Sequence, residues 1–204
     1  MLNLLGADFL HAVLNVGVPQ GRGGLHGYLA LGGQGENAAG GDQVGGFAGQ
    51  RLMISPEMYR RFIVPEVRKL SRRLHGAGAR AVNASDGDLW PVMDDFLAGC
   101  EVDAYLEIDL HAGMDLGRLK EAYGDRYTLI GNLDCGNTLS FGTPGEVGDH
   151  VVGCLEAGWG NGGHVLCASN AITASVPLAN YLAVVNGYRG FFGLAPFTPG
   201  GDPL

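Results

Sequence analysis

The sequence predicts an α/β fold with a parallel sheet, and three observations carry that prediction. From residue 55 onward, short apolar segments alternate regularly with amphipathic segments of helical length. Each of the helical segments closes on a glycine. The connections between apolar segments are long enough for crossovers, and parallel neighbours need a crossover of a dozen residues or more, usually a helix. Composition agrees: 46% of the 204 residues are hydrophobic and 17% charged, whereas a disordered chain has low hydrophobicity and high net charge. The 36 glycines fall mostly singly or in pairs, as turn residues do.

The elements follow in order. Residues 1–34 read as a helix (Leu4 to Val16) and a Gly-rich connection, and a weak strand is placed between Gly35 and Val44. Ser55-Pro56-Glu57 opens the first clear helix, with a hydroxyl at the N-cap and Pro at the first turn. The apolar spacing Met58, Phe62, Val67, Leu70, Leu74 carries it to Gly76 and Gly78. A strand from Ala79 to Asn83 follows, then a helix from about Leu89 to Ala98 and a strand from Val102 to Ile108. The next pair is a helix from Asp115 to Tyr123 and a strand from Tyr127 to Leu133. Thr143-Pro144-Gly145-Glu146 has the residue types of a capping box and starts a helix reaching Ala157. A strand from His164 to Ala168 and a helix from about Pro177 to Phe192 complete the series, and the Pro/Gly-rich residues 194–204 are expected to fray.

In parallel α/β folds the reactive groups gather at the carboxyl ends of the strands. Those places here hold Ser85-Asp86-Gly87-Asp88, then Glu107, Asp109 and His111, then Asn132 and Asp134, then Ser169 and Asn170. The opposite ends, GAGAR, GDRY and GNGGH, are mostly turn residues. Asp, Asn and Ser are also ordinary helix caps and turn formers, so the argument rests on four strands in succession. His111 alone among the six histidines lies on the expected face; His75 and His150 are read as surface residues within helices, and His164 as sitting at the wrong end of its strand. Cys135 and Cys167 lie near that face, as a thiol ligand or nucleophile would, while the absence of CxxC spacing favours buried free thiols.

Several functions are excluded or unsupported. A net charge of -8 with 13 Lys and Arg does not suit nucleic acid or an anionic membrane, which need a basic patch. No apolar run approaches the roughly 20 residues of a membrane span, and the first residues lack a basic leader region, so a cytoplasmic protein is expected. No GxGxxG opens a helix after a strand, and Walker A and GxSxG patterns are absent, which leaves nucleotide binding and the hydrolase elbow without a motif.

The segments GQRLMISPEMYRRFIVPEVRKL, SDGDLWPVMDDFLAGCEVDAYLEID, GMDLGRLKEAYGDRYTLIGNLDC, GTPGEVGDHVVGCLEAGWGNGGHVLCASNAI and VPLANYLAVVNGY together resemble the carboxyl-terminal part of the uroporphyrinogen decarboxylase superfamily. The resemblance implies a (β/α)8 TIM-type barrel of which residues 35–193 carry the last five βα units. It also implies an enzyme: the haem-pathway decarboxylase (a carbon-carbon lyase of porphyrin biosynthesis), or a corrinoid-dependent methyltransferase such as the methylcobalamin:coenzyme M enzymes. The methyltransferase branch binds zinc through a His-x-Cys before a glycine and a later Cys. Here those places read Ala84-Ser85-Asp86-Gly87 and fall near Asn170, so Asp86 and Cys167 are the weak metal candidates. The polar residues of the strand ends, together with Asp42 on the same acidic and amide rim, make Asp86 and Asp134 the expected catalytic residues and Asp42, Glu107, Asp109, Asn132, Ser169 and Asn170 the expected substrate-binding ones. The expected ligand is a tetrapyrrole or corrinoid, with a corrinoid protein as partner. The rival expectation is an incomplete, non-catalytic module, because five strands do not close an eight-stranded barrel and open sheet edges favour self-association.

Overall fold

The computed structural model describes residue 52, residues 54–160 and residues 162–200. The helix placed at Leu4 to Val16, the strand at Gly35 to Val44 and the candidate Asp42 lie outside the described residues. Within them the chain alternates helix and strand as the sequence predicts. Helix α1 (Pro56–Met58) runs through a π-helical stretch (Tyr59–Ile63) into α2 (Val64–Gly76), and Ser55 caps the start by accepting the Met58 amide at 3.2 Å. Strand β1 (Val82–Ala84) is followed by a 3-10 turn (Trp90–Val92) and a π-helical stretch (Asp95–Gly99). Strand β2 (Ala104–Leu106), a 3-10 turn (Leu110–Ala112) and helix α3 (Leu116–Tyr123) come next. Strand β3 (Thr128–Ile130) leads to the short α4 (Thr138–Phe141) and to α5 (Pro144–Gly158). Strand β4 (His164–Val165) and α6 (Leu178–Phe191) end the series.

The four strands form one sheet in the order β1-β2-β3-β4, every pair parallel. Val82 pairs with Ala104 and Ala104 with Thr128, while Ile130 pairs with Val165, so the register is in step across the sheet. An isolated bridge between Leu133 and Ala168 prolongs the β3-β4 contact toward the carboxyl ends. The strands are shorter than the apolar runs, although backbone bonds continue past their ends, from the Glu107 amide to the Ile130 carbonyl (3.0 Å) and from the Leu133 amide to the Cys167 carbonyl (2.9 Å).

Alternation along each strand separates two faces. One carries Val82, Ala104 and Ile130, small or branched side chains that pack together with Leu106, Val165 and Cys167. The other carries Tyr105 and Leu129, which pack beneath the helical segments with Leu89, Met93, Phe96, Leu97, Leu116 and Leu119, all buried. Phe96 meets Tyr105 edge to face with ring centres 5.1 Å apart. A second core joins α5 and α6, where Leu139, Val147, Val151 and Leu155 are buried against Val184, Tyr188 and Phe192.

The capping box at α5 forms as expected: Thr143 Oγ1 accepts the Glu146 amide, and Glu146 accepts the Thr143 amide at 2.7 Å. Buried Asn180 docks the start of α6 by donating to the carbonyls of Leu139 (2.9 Å) and Gly142 (2.8 Å), two acceptors a helix end leaves open. The segment expected between Leu89 and Ala98 departs from a regular α-helix, with Pro91 contributing no amide donor to its first turn. Among the described residues after Gly193 there is neither helix nor strand, yet the segment is tied to α6: the Leu194 amide donates to the Arg189 carbonyl at 2.8 Å, Arg189 Nε donates to the Ala195 carbonyl, and Asn186 donates to the Phe197 carbonyl (3.3 Å) and accepts the Phe197 amide (2.6 Å).

Candidate functional site at the carboxyl ends of the strands

The four strand ends are joined to one another by side chains, and the contacts run in a circuit. From β1 to β2, Asp109 Oδ2 accepts the Gly87 amide at 3.0 Å, while its Oδ1 caps the 3-10 turn through the His111 (3.0 Å) and Ala112 (3.2 Å) amides. From β2 to β3, the His111 ring places Nε2 3.1 Å from Asp134 Oδ2 and 2.8 Å from the Asn137 amide group. From β3 to β4, the Cys135 thiol lies 3.6 Å from the Ser169 hydroxyl. From β4 back to β1, Asn170 Nδ2 donates to Asp86 Oδ2 at 3.2 Å, across 84 residues of sequence. Asp86, Asp109, Asp134, Ser169 and Asn170 thus come together around one mouth.

The members differ in exposure. Asp86 and Asn170 are exposed, whereas Ser85, Glu107, Asn132 and Asp134 are buried in the floor. Glu107 is reached through a distorted backbone: its φ is 94° and that of Ile108 is 57°, left-handed values that cost a non-glycine residue roughly 1–3 kcal/mol each. Gly131 permits the crowding on the β3 side. A Cβ there would stand 2.6 Å from the Glu107 carbonyl oxygen at a φ of 153°, so no other residue fits without backbone movement. Strain of this kind concentrates where structure is held for function.

Asp134 is the most constrained of the acids. Its Oδ1 accepts the Asn137 amide at 3.1 Å, and its Oδ2 accepts both the amide and the hydroxyl of Thr138 at 3.0 Å. Burial pushes its pKa up, but the Thr138 and Asn137 amides, His111 and the Thr138 hydroxyl outweigh that and hold it below the usual carboxylate range. Its own amide donates to His150 Nε2 at 2.9 Å, which fixes His150 with a bare Nε2. His150 is therefore a half-buried part of the site's support and not a surface residue as its helical position suggests. Burial lowers its pKa, and the Cys154 thiol sits 3.8 Å from the same nitrogen. His164 faces the helix layer, with Nε2 2.8 Å from the Gly131 carbonyl.

Residues that the sequence reading did not select include Asn137 and Thr138, whose spacing three and four residues after Asp134 is a capping signal. Tyr105 is another. Its hydroxyl is buried with no hydrogen-bond partner among the described residues, and burial, with Glu107, Asp109 and Asp86 nearby, raises its pKa well above the usual phenol value.

The family model for Uroporphyrinogen decarboxylase (URO-D) matches residues 34–191. The chain belongs to the uroporphyrinogen decarboxylase (URO-D) family. Among curated proteins none matches it. Among solved structures, a methyltransferase from Methanosarcina mazei is similar at 24% identity with a TM-score of 0.58, over 68% of this chain and 38% of that one. That likeness shows the fold: the parallel sheet and its helices are part of a TIM-barrel-like URO-D architecture. The chain spans 38% of the length of that methyltransferase.

The URO-D resemblance raises zinc, and the described residues do not fit it. Among the described residues no group of three or more His, Cys, Asp and Glu side chains is placed to hold a metal ion, whereas zinc takes at least three protein ligands. Asp86 is hydrogen-bonded to Asn170, a weak donor to metal, and burial raises the pKa of the Cys167 thiol, which disfavours the thiolate a metal needs. No helix among the described residues is long and apolar enough to cross a membrane.

Proposed function

We propose that this URO-D chain supplies the carboxyl-terminal part of a barrel enzyme that binds a tetrapyrrole-type macrocycle at the mouth and transfers a corrinoid-linked methyl group. Its partner is a corrinoid protein, and its place of work is the cytoplasm. The observation that carries the reading is the charge of the strand-end segments. Residues 85–88, 107–111, 132–137 and 169–175 contain five carboxylates (Asp86, Asp88, Glu107, Asp109, Asp134) and no Lys or Arg. A substrate bearing many carboxylates would meet like charge at short range, which is costly. A corrinoid carries peripheral amides instead, and an amide N-H donated to a carboxylate makes a charge-assisted bond, stronger than a neutral one. Asp86 is the exposed acid best placed to receive it, with Asn170 holding one of its oxygens.

The second reading is decarboxylation of a porphyrinogen, favoured by the URO-D match itself and by the ability of the same carboxylates to accept pyrrole N-H groups and stabilise a protonated ring. One experiment separates the two. The full-length protein is titrated with methylcobalamin by visible spectroscopy and, in parallel, incubated anaerobically with uroporphyrinogen while product carboxylates are counted. Methyl transfer predicts a saturable spectral change that Asp86→Ala weakens by about tenfold or more, the loss of one charge-assisted bond. Loss of carboxylates from uroporphyrinogen without any corrinoid binding would reverse the assignment.

A further inference from the structure

Among the described residues His111 is the histidine that stands in the mouth, and its geometry is that of a positioned base. The ring is carried on the 3-10 turn after β2, whose first amides are capped by Asp109, so the backbone beneath it is fixed. Its Nε2 lies 3.1 Å from Asp134, a carboxylate 4% exposed, while the imidazole itself is 58% exposed. Asp134 comes from the end of a different strand and is locked by three bonds from Asn137 and Thr138. A buried, anchored carboxylate beside an exposed imidazole selects one tautomer. A nitrogen facing an anion carries the proton, because a charge-assisted hydrogen bond forms that way and lone-pair repulsion results the other way. Nε2 is then the N-H and Nδ1 keeps its lone pair. The Asn137 side-chain nitrogen stands 2.8 Å from Nε2. This tautomer requires that amide to be turned end for end so that its oxygen accepts, an interchange of two atoms alike in shape that the proton on Nε2 decides. Among the described residues the other titratable groups beside the ring are Asp109 at its base and His150 from α5, which holds the Asp134 backbone from behind.

We propose that His111, oriented by Asp134, is the proton acceptor of the mouth: Nδ1 takes the proton from the group that receives the transferred methyl. The inference rests on the methyl-transfer reading above. The balance is simple. The acceptor's X-H bond breaks, where X is sulfur or oxygen, and its proton passes to Nδ1, giving an imidazolium stabilised by Asp134. The electron pair left on X forms the new bond to the methyl carbon, and the pair of the bond that held the methyl stays with the donor. Asp134 acts through His111 and is a positioning residue.

The test uses the full-length protein, with histidine labelled by nitrogen-15 and the His111 signals assigned by their loss in His111→Gln. The expected spectrum shows the neutral His111 ring with hydrogen on Nε2, and Asp134→Asn shifts the ring toward the Nδ1-H form. Because Asp134 also caps α4, Asn137→Ala is the second variant; it leaves the carboxylate in place and is expected to keep the Nε2-H form. With methylcobalamin as donor and dithiothreitol or catechol as acceptor, His111→Gln is expected to lower single-turnover transfer by about 10²-fold or more, the usual scale for a general base, while methylcobalamin binding is retained. A ring protonated on Nδ1 in the wild-type protein, or transfer by His111→Gln at the wild-type rate, overturns the proposal. So does wild-type binding of methylcobalamin without transfer to either acceptor. Failure to bind methylcobalamin at all falls on the earlier reading, and the tautomer still reports whether the Asp134-His111 pair is built as described.

Discussion

Replacing Asp134 with alanine removes more than a charge. The carboxylate receives the Asn137 amide, the Thr138 amide and the Thr138 hydroxyl, and touches His111. Loss of a cap costs about 0.5–2 kcal/mol, and a buried amide left without an acceptor costs about 1–3 kcal/mol. Relief of the carboxylate's own desolvation offsets part of this, so a net loss of about 2–4 kcal/mol is expected, equivalent to roughly 4–16 °C in Tm for a chain of this size. Thermal denaturation followed by circular dichroism on the full-length protein measures it. The effect carries a pH signature. The folded pKa of Asp134 is depressed, so its contribution is fully present above the unfolded value near about 4 and is lost as pH falls through the folded value. Wild type and Asp134→Ala should therefore converge in acid. A gap that stays constant down to the acid limit, or one below about 1 kcal/mol at neutral pH, would refute the claim that this carboxylate organises the β3 end.

Three further outcomes are expected. Gly131→Ala should destabilise the protein by more than about 2 kcal/mol in urea denaturation, since the new Cβ would lie 2.6 Å from the Glu107 oxygen at a positive φ; a near-neutral result would mean the β3 end relaxes freely. His150→Gln keeps an acceptor for the Asp134 amide and should flatten the fall of stability below about pH 6.5, because a histidine with a depressed folded pKa leaves the unfolded chain to protonate first. The slope owed to His164, also depressed by burial, should remain. Of the four cysteines, Cys100 and Cys154 have pKa values pushed up by burial to about 12 and about 11, and should resist iodoacetamide at pH 8 until the protein unfolds. Rapid alkylation of either, located by mass spectrometry, would contradict the packing of that residue.

The order of helices and strands was legible because each boundary is written locally. Ser55, Asp115 and Thr143 cap the helices they precede, and the helical apolar spacing after Ser55 carries through to the α2 stop. The polar ends of the strands were legible for the same reason, since a parallel fold puts them all on one edge. What local sequence does not encode is which of those residues meet. The Asp109 to Gly87 and Asn170 to Asp86 bonds span 22 and 84 residues, and nothing in either segment names its partner. His150 was misplaced because the helical period cannot foretell that α5 is laid against the loop holding Asp134. The π-helical stretches after Met58 and Asp94 likewise depend on what packs beneath them, and the left-handed Glu107 contradicts its own residue type.

The circuit of contacts at the mouth has a consequence for how the chain is made. Synthesis runs from Asp86 toward Asn170, so the acid waits for 84 more residues before its amide exists. Until then the ends of β1, β2 and β3 can already be stitched through Asp109 and His111, while the side that β4 will occupy stays open. A chain cut in the loop between Gly158 and β4 loses Ser169 and Asn170 together, and with them the α6 side of the second core. The mouth is therefore a property of the finished polypeptide, and a ligand that needs Asp86 held by Asn170 discriminates intact molecules from shortened ones.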